Sequence, residues 1–427
     1  MDNANVNRSE ADLKQVAELL ALAGQLLLEL NVGTEVIRAE LKSTAKALAI
    51  PECRVAVSYR QVMVSLGTVI WTSDTVHELR SDMAALVTVT SLLNQVRRGE
   101  WNLAAALQGL REAKAAAPQL PRWLKVGQFS LAAASLAGIL GADGGAASIA
   151  ALSAGLGLLA RQELARRHIS LLALPLVAAF MGSLMGGLAI QSGWTHTPEI
   201  ALLAPALMLV PGVHLINVML DLLDNQVPMA LARLGLAAAL LFASALGVAL
   251  GMALTLGDDI PISNGTITLP FGIAMVLAAV AAMGFASNFN TLWQQLGMAA
   301  LAGIAGHGVR YLVTAAGGNT VSATFLGSFA VGMVSAWLAR KDRTPAATIA
   351  FAGAVTMMPG LVMYRALGGA MKLASQGKAA DPQLAAETFA HAVLAGLIVG
   401  GLTIGLALGV HLIQAIHRVE RPIIVER

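Results

Sequence analysis

The sequence predicts a mostly α, polytopic helical membrane protein preceded by a small α+β cytoplasmic domain. Three observations carry that class. Mean hydropathy is +0.70, and 56% of the 427 residues are hydrophobic against 12% charged, a balance that soluble domains do not reach. Charge is also unevenly spread, because residues 1 to 125 hold 27 of the 53 Asp, Glu, Lys and Arg. Beyond Val126, apolar runs of about 20 residues alternate with short polar breaks. The domains that follow are a head over 1–124, a first membrane module over 125–256 and a second over 257–427.

In the head, ADLKQVAELLALAGQLLLELN and TEVIRAELKSTAKALAI carry apolar residues three and four apart, which predicts two amphipathic helices. RVAVSYRQVMVSLGTVIWT alternates at Val55, Val57, Tyr59 and then at Val62, Val64, Leu66, which predicts two strands. Helices follow through DMAALVTVTSLLNQVRRG and NLAAALQGLREAKAAA and stop before Pro118 and Pro121. The opening MDNANVNRSEADLKQ lacks the basic, apolar and small-residue order of a secretory signal, so the head is expected in the cytoplasm. Arg80 and Asp82 read as a solvated pair. Cys53 is alone, which excludes an internal disulfide and a cysteine-rich metal site. No phosphate loop, nucleophile elbow or metal-ligand spacing occurs, so no cofactor, metal or enzymatic chemistry is expected.

Ten spans are expected in the body, at about 126–141, 145–160, 170–190, 199–219, 229–256, 270–286, 295–315, 319–339, 345–366 and 384–412. Basic residues set the orientation. If the first span leaves the cytoplasm after Arg122 and Lys125, the loops RQELARRH and RKDR fall inside, with Arg418, Arg421 and Arg427. Four outer loops, around GADGG, QSGWTHTPE, GDDIPISNGTITLP and AGGNT, contain no Lys or Arg; the fifth holds Lys372 and Lys378. Both termini are therefore expected in the cytoplasm, with the basic excess serving topology and not nucleic acid. Glycines at 182 and 186, 247 and 251, 396 and 400, and 401, 405 and 409 stand at helix-packing spacing.

VPGVHLINVMLDLL has a counterpart 148 residues later, MPGLVMYRALGGAMKL. Each sets Pro-Gly inside an apolar run, where proline removes a backbone bond and interrupts the helix. Five spans per half is an odd number, so duplication inverts the second half relative to the first. The half-helix beginning at each break aims its positive end at the break, which suits a carboxylate. The expected substrate site is Pro211, Gly212, His214, Asn217, Asp221, His307, Arg310, Pro359, Gly360, Tyr364 and Arg365. His214, Asn217 and Asp221 share one helical face, and ionisable groups at bilayer depth are functional candidates because burying them unpaired is costly. His214, Asp221 and His307 are the proton-coupling candidates. Asp221 and Asp224 also fit the loop after span four, and Arg365 also fits a snorkelling position at the outer interface.

Those residues carry a resemblance. GQLLLELNVGTEVIRAEL and QLPRW in the head, LMLVPGVHLINVMLDLL, and then FASNFN, LARKDRTP and MMPGLVMYRAL make the chain similar, over nearly its whole length, to the threonine/serine exporter family in a fused two-module form. The resemblance implies an inner-membrane, proton-driven exporter of threonine and serine. Related split systems imply a dicarboxylate, succinate, as the alternative, and a channel or membrane signalling protein is a further one. Partners expected are the small-molecule substrate, protons and the lipid bilayer, and a homo-oligomer is compatible with the sequence. Asp221 near the pocket would favour an amino acid, because an α-ammonium needs an acceptor; its absence would favour a dicarboxylate.

Overall fold

The computed structural model describes residues 10–257, 269–342 and 344–419. Residues 258–268 of the GDDIPISNGTITLP loop, together with Arg343, Arg421 and Arg427, lie outside that set.

The head begins with α1 (Glu10–Glu29) and α2 (Thr34–Ala47), as the apolar spacing predicts. Three strands follow where two were expected: β1 (Cys53–Val57), β2 (Val62–Leu66) and β3 (Val69–Thr72), antiparallel in the order β1-β2-β3. The extra strand arises because Leu66 pairs with Val69 across a two-residue turn. Gly67 supplies the positive φ (59°) that the first position of such a hairpin turn demands. Val62, Val64 and Leu66 face α1 and close the head core. The helices α3 (Met83–Arg97) and α4 (Leu103–Ala116) complete it, capped by the side chains of Asp82 and Asn102. Asp82 is thus a helix cap, not one half of a solvated pair with Arg80.

The body consists of α5 (Arg122–Ile139), α6 (Gly144–Arg166), α7 (Ala173–Gln191), α8 (Pro198–Leu207), α9 (Gly212–Leu223) and α10 (Val227–Ala253) in the first module. The second module has α11 (Phe271–Asn288), α12 (Leu296–Ala315), α13 (Thr320–Asp342), α14 (Ala347–Val355), α15 (Gly360–Gln376) and α16 (Pro382–Val419). Among the described residues seven helices are long and apolar enough to cross a membrane, and nine spans result if each bent pair counts as one. Those pairs are α8 with α9, bent by 65°, and α14 with α15, bent by 57°. The first expected span, 126–141, falls in α5 and is not among them, because Arg122, Lys125 and Gln128 occupy the first two turns of that helix.

The two modules repeat one set of neighbours. In each, the first helix packs on the second, the second on the third, the third on the fifth, and the half-helix after the break on the fifth. Small residues set the closest of these approaches. A Cβ on Gly247 would lie 2.2 Å from the Leu176 carbonyl of α7, and one on Gly409 2.2 Å from the Phe329 carbonyl of α13. At Gly182, Gly186, Gly251 and Gly405 the nearest atom would lie 2.3 to 2.8 Å away; Gly396 meets nothing within 4 Å. Between modules, α5 lies along α11, with Phe129 edge-on to Phe285 at 6.5 Å between ring centroids.

Candidate substrate site

The two Pro-Gly breaks fold alike. At Pro211 φ and ψ are −77° and 62°, and at Pro359 −80° and 48°, both close to the inverse γ-turn. The defining bond is present in each: Gly212 N–H donates to the Val210 carbonyl at 2.8 Å and Gly360 N–H to the Met358 carbonyl at 2.9 Å. Each bend therefore satisfies one of the amides it frees. The next intrahelical donor of α15 is Met363, bonded to the Pro359 carbonyl at 2.9 Å. Between these, the Leu361 and Val362 amides are first-turn donors without an intrahelical acceptor.

The breaks also meet. A Cβ on Gly212 would touch Val355 at 3.0 Å and Met358 at 3.6 Å; a Cβ on Gly360 would touch Leu207 at 3.0 Å and Val210 at 3.3 Å. Each contact is the other displaced by 148 residues, so the modules face one another through equivalent surfaces, as self-complementary interfaces do. A side chain at either position would press on the facing break, so glycine eases this approach.

Beside them lies a cavity of about 770 Å³, within the range of small-molecule sites. The second break lines it from Val355 to Val362, the first contributes Leu207 and Val210, and α12 contributes His307, Arg310, Tyr311 and Thr314. His307 is 6% exposed. It stands at the second break, and its Nε2 has no partner among the described residues. Arg310, one turn further along α12, has no carboxylate partner among the described residues. A guanidinium so placed presents a forked donor set to an incoming carboxylate. No Asp or Glu belongs to the described lining.

Four of the eleven residues expected at the site line this cavity: His307, Arg310, Pro359 and Gly360. Pro211 and Gly212 form the neighbouring break. Tyr364 lines a smaller cavity of about 220 Å³ and donates to the Ala206 carbonyl at 3.0 Å, satisfying an acceptor at the end of α8. Arg365 holds Glu199 by two parallel bonds, 2.7 and 2.9 Å, so its charge already has a counterion. Glu199 is 4% exposed on α8. It read as part of a polar outer loop because threonines, a proline and a histidine precede it.

His214, Asn217 and Asp221 do not line the cavity. The last two point at the head. Asn217 Nδ2 donates to the Asn31 carbonyl at 2.6 Å, and Asp221 Oδ1 accepts from the Thr34 amide at 3.1 Å. Asp221 Oδ2 lies 3.0 Å from an Arg233 guanidinium nitrogen, with both side chains 1% exposed or less. Arg233 in turn donates to the Val32 carbonyl at 2.6 Å. Sequence reading missed Arg233, although it is the one charged residue between 227 and 256 and so carried the signal of an intramembrane ion. His214 Nε2 is buried without a partner among the described residues. Among those residues no group of three His, Cys, Asp or Glu is placed to hold a metal ion.

Two family models match the chain. A model described as a threonine/serine exporter matches residues 18–255, head and first module together. A second, described as the threonine/serine exporter ThrE, matches residues 274–416. No solved structure matches the chain. The first match alone covers more than half of the sequence, and the two together place a multi-pass membrane protein of this organisation in one family: the chain belongs to the threonine/serine exporters, in their fused two-module form.

Proposed function

We propose that the protein is a secondary exporter of threonine and serine, driven by protons and working by alternating access across the inner membrane, with the head and both termini in the cytoplasm. The observation that carries the reading is Arg310, a guanidinium with no counterion among the described residues, on the wall of a cavity formed at the second helix break. A substrate carboxylate supplies the missing charge, helped by the Leu361 and Val362 amides at the positive end of α15. The α-ammonium needs an acceptor. Backbone carbonyls at the negative end of α14, around Val355 and Thr356, provide one without an acidic side chain. His307, unpartnered at Nε2 and beside Arg310, is the proton carrier.

The reciprocal glycine contacts, with five helices or bent pairs packed in the same order in each module, support an inverted repeat whose pseudo-two-fold axis lies in the membrane plane. One observation favours the dicarboxylate reading: Asp221 stands outside the cavity, and the described lining offers two nitrogen-bearing side chains, His307 and Arg310, and no carboxylate. Vesicles loaded with serine, threonine or succinate under an imposed pH gradient decide between the two. Saturable efflux of serine and threonine that rises with the gradient is expected. Efflux of succinate alone would replace the amino-acid reading with the dicarboxylate one.

A further inference from the structure

Beyond the two breaks, the cavity is lined by the ends of three helices. Its lining takes Ile139 and Leu140 from the end of α5, Ala274 and Met275 from the start of α11, and Tyr311 and Thr314 from the end of α12. The opposite ends of α5 and α11 are the ones fastened to the head. Leu120 N–H donates to Asn290 Oδ1 at 3.2 Å, and Asn290 Nδ2 donates to Asp82 at 2.9 Å. Met83 and Ala84 N–H donate to the carbonyls of Phe289 and Asn290 at 2.8 and 3.0 Å. The head thus grips the second module there and the first module through Asn217, Asp221 and Arg233, bridging both at helix ends opposite those that line the cavity.

The grip on the first module is well placed to govern a motion. α9 starts at the first break, against Val355 and Met358 of the second, and its far half carries Asn217 and Asp221 into the turn between α1 and α2. A pivot of α9 about Pro211 cannot occur while that turn is docked. The chemistry of the contact also suits one that opens. Asn31 Nδ2, Thr34 Oγ1, Asn217 Oδ1 and Arg233 Nε are all buried there without partners among the described residues, a state that costs free energy if permanent and is relieved whenever the surface meets water.

We infer that the turn Asn31–Thr34 is an inner latch of the transporter: docked on Asn217, Asp221 and Arg233 it holds the cavity open to the face opposite the head, and it must release for the cavity to open on the head side. The latch rests on the transport reading for its purpose, but its position can be tested without substrate. Gly33 and Asn217 are close, since a Cβ on Gly33 would lie 3.8 Å from Asn217 Oδ1. Replacing Cys53 by Ser removes the chain's one cysteine, and G33C with N217C then allows an oxidative lock.

In reconstituted vesicles, the locked protein should lose serine efflux at least tenfold and regain it on reduction. A third site, Thr314→Cys in the cavity wall, reports the side that is open through a membrane-impermeant maleimide applied opposite the head. Labelling should stay fast in the locked protein. Undiminished efflux after complete locking, or labelling that collapses on locking, overturns the latch. If the unlocked protein moves no serine, the transport reading fails while the labelling result still decides the latch. Arg233→Gln, made without the lock, should slow Thr314→Cys labelling severalfold by loosening the turn; unchanged labelling in that variant likewise overturns it.

Discussion

Replacing Asp221 by Asn probes the head–body contact with a single isosteric change. Asp221 accepts from the Thr34 amide at 3.1 Å and faces Arg233 at 3.0 Å, and neither side chain is exposed by more than 1%. The amide side chain keeps an oxygen for Thr34 but removes the charge, which leaves Arg233 buried and uncompensated. Breaking a buried pair from one side costs roughly 3–5 kcal/mol. Undocking of the head, which lets water reach Arg233, sets the ceiling on that cost. Amide hydrogen exchange at Thr34 reads the result directly: about 3 kcal/mol corresponds to roughly a hundredfold faster exchange. Adding Arg233→Met should recover much of the lost protection, because both charges are then gone and the long apolar side chain fills the space. Unchanged exchange in Asp221→Asn, or strictly additive losses in the double variant, would refute the view that this pair fastens the head.

Two further outcomes follow from local geometry. Gly247→Ala puts a methyl group 2.2 Å from a carbonyl of α7, whereas Gly396→Ala meets nothing within 4 Å; the first should cost about 1–3 kcal/mol of strain and lower the melting temperature in detergent, and the second should be close to neutral. Asp143, between α5 and α6, is partly desolvated, which alone would raise its pKa, but N–H donors from Ala146 and His196 and the Thr195 hydroxyl outweigh that and hold it below the usual carboxylate value. A depressed carboxylate contributes stability that is full above its unfolded value and is lost as pH falls through the folded value. Acidification below about pH 4 should therefore release the α7–α8 loop, and Asp143→Asn should remove that acid step, as limited proteolysis after His196 would report.

Much of the body was legible in the sequence because bilayer thickness constrains helix length so strongly. The breaks at Pro211 and Pro359 were legible for the same reason: lipid cannot satisfy a freed backbone group, so proline there must have a structural answer. What periodicity could not supply was which surface each polar face meets. His214, Asn217 and Asp221 do share one face, but Asn217 and Asp221 on that face dock the head instead of lining the cavity, and no local pattern records a contact with a turn about 190 residues earlier. Arg365 was likewise found without its partner, since Glu199 lies 166 residues away. Arg310 and His307 stood out because an ionisable pair one turn apart in an apolar helix has few purely structural explanations, and both line the cavity.

The central claim is that Arg310 supplies the carboxylate contact and Arg365 does not. Calorimetric titration of serine into the purified full-length protein tests it most directly, with Arg310→Gln and Arg365→Gln alongside. Loss of a charged hydrogen-bond donor is worth about 1.5–3 kcal/mol, so Arg310→Gln should weaken binding by roughly 10- to 150-fold while Arg365→Gln stays within about threefold of the unaltered protein. Full affinity in Arg310→Gln, or the reverse ranking of the two variants, would contradict it.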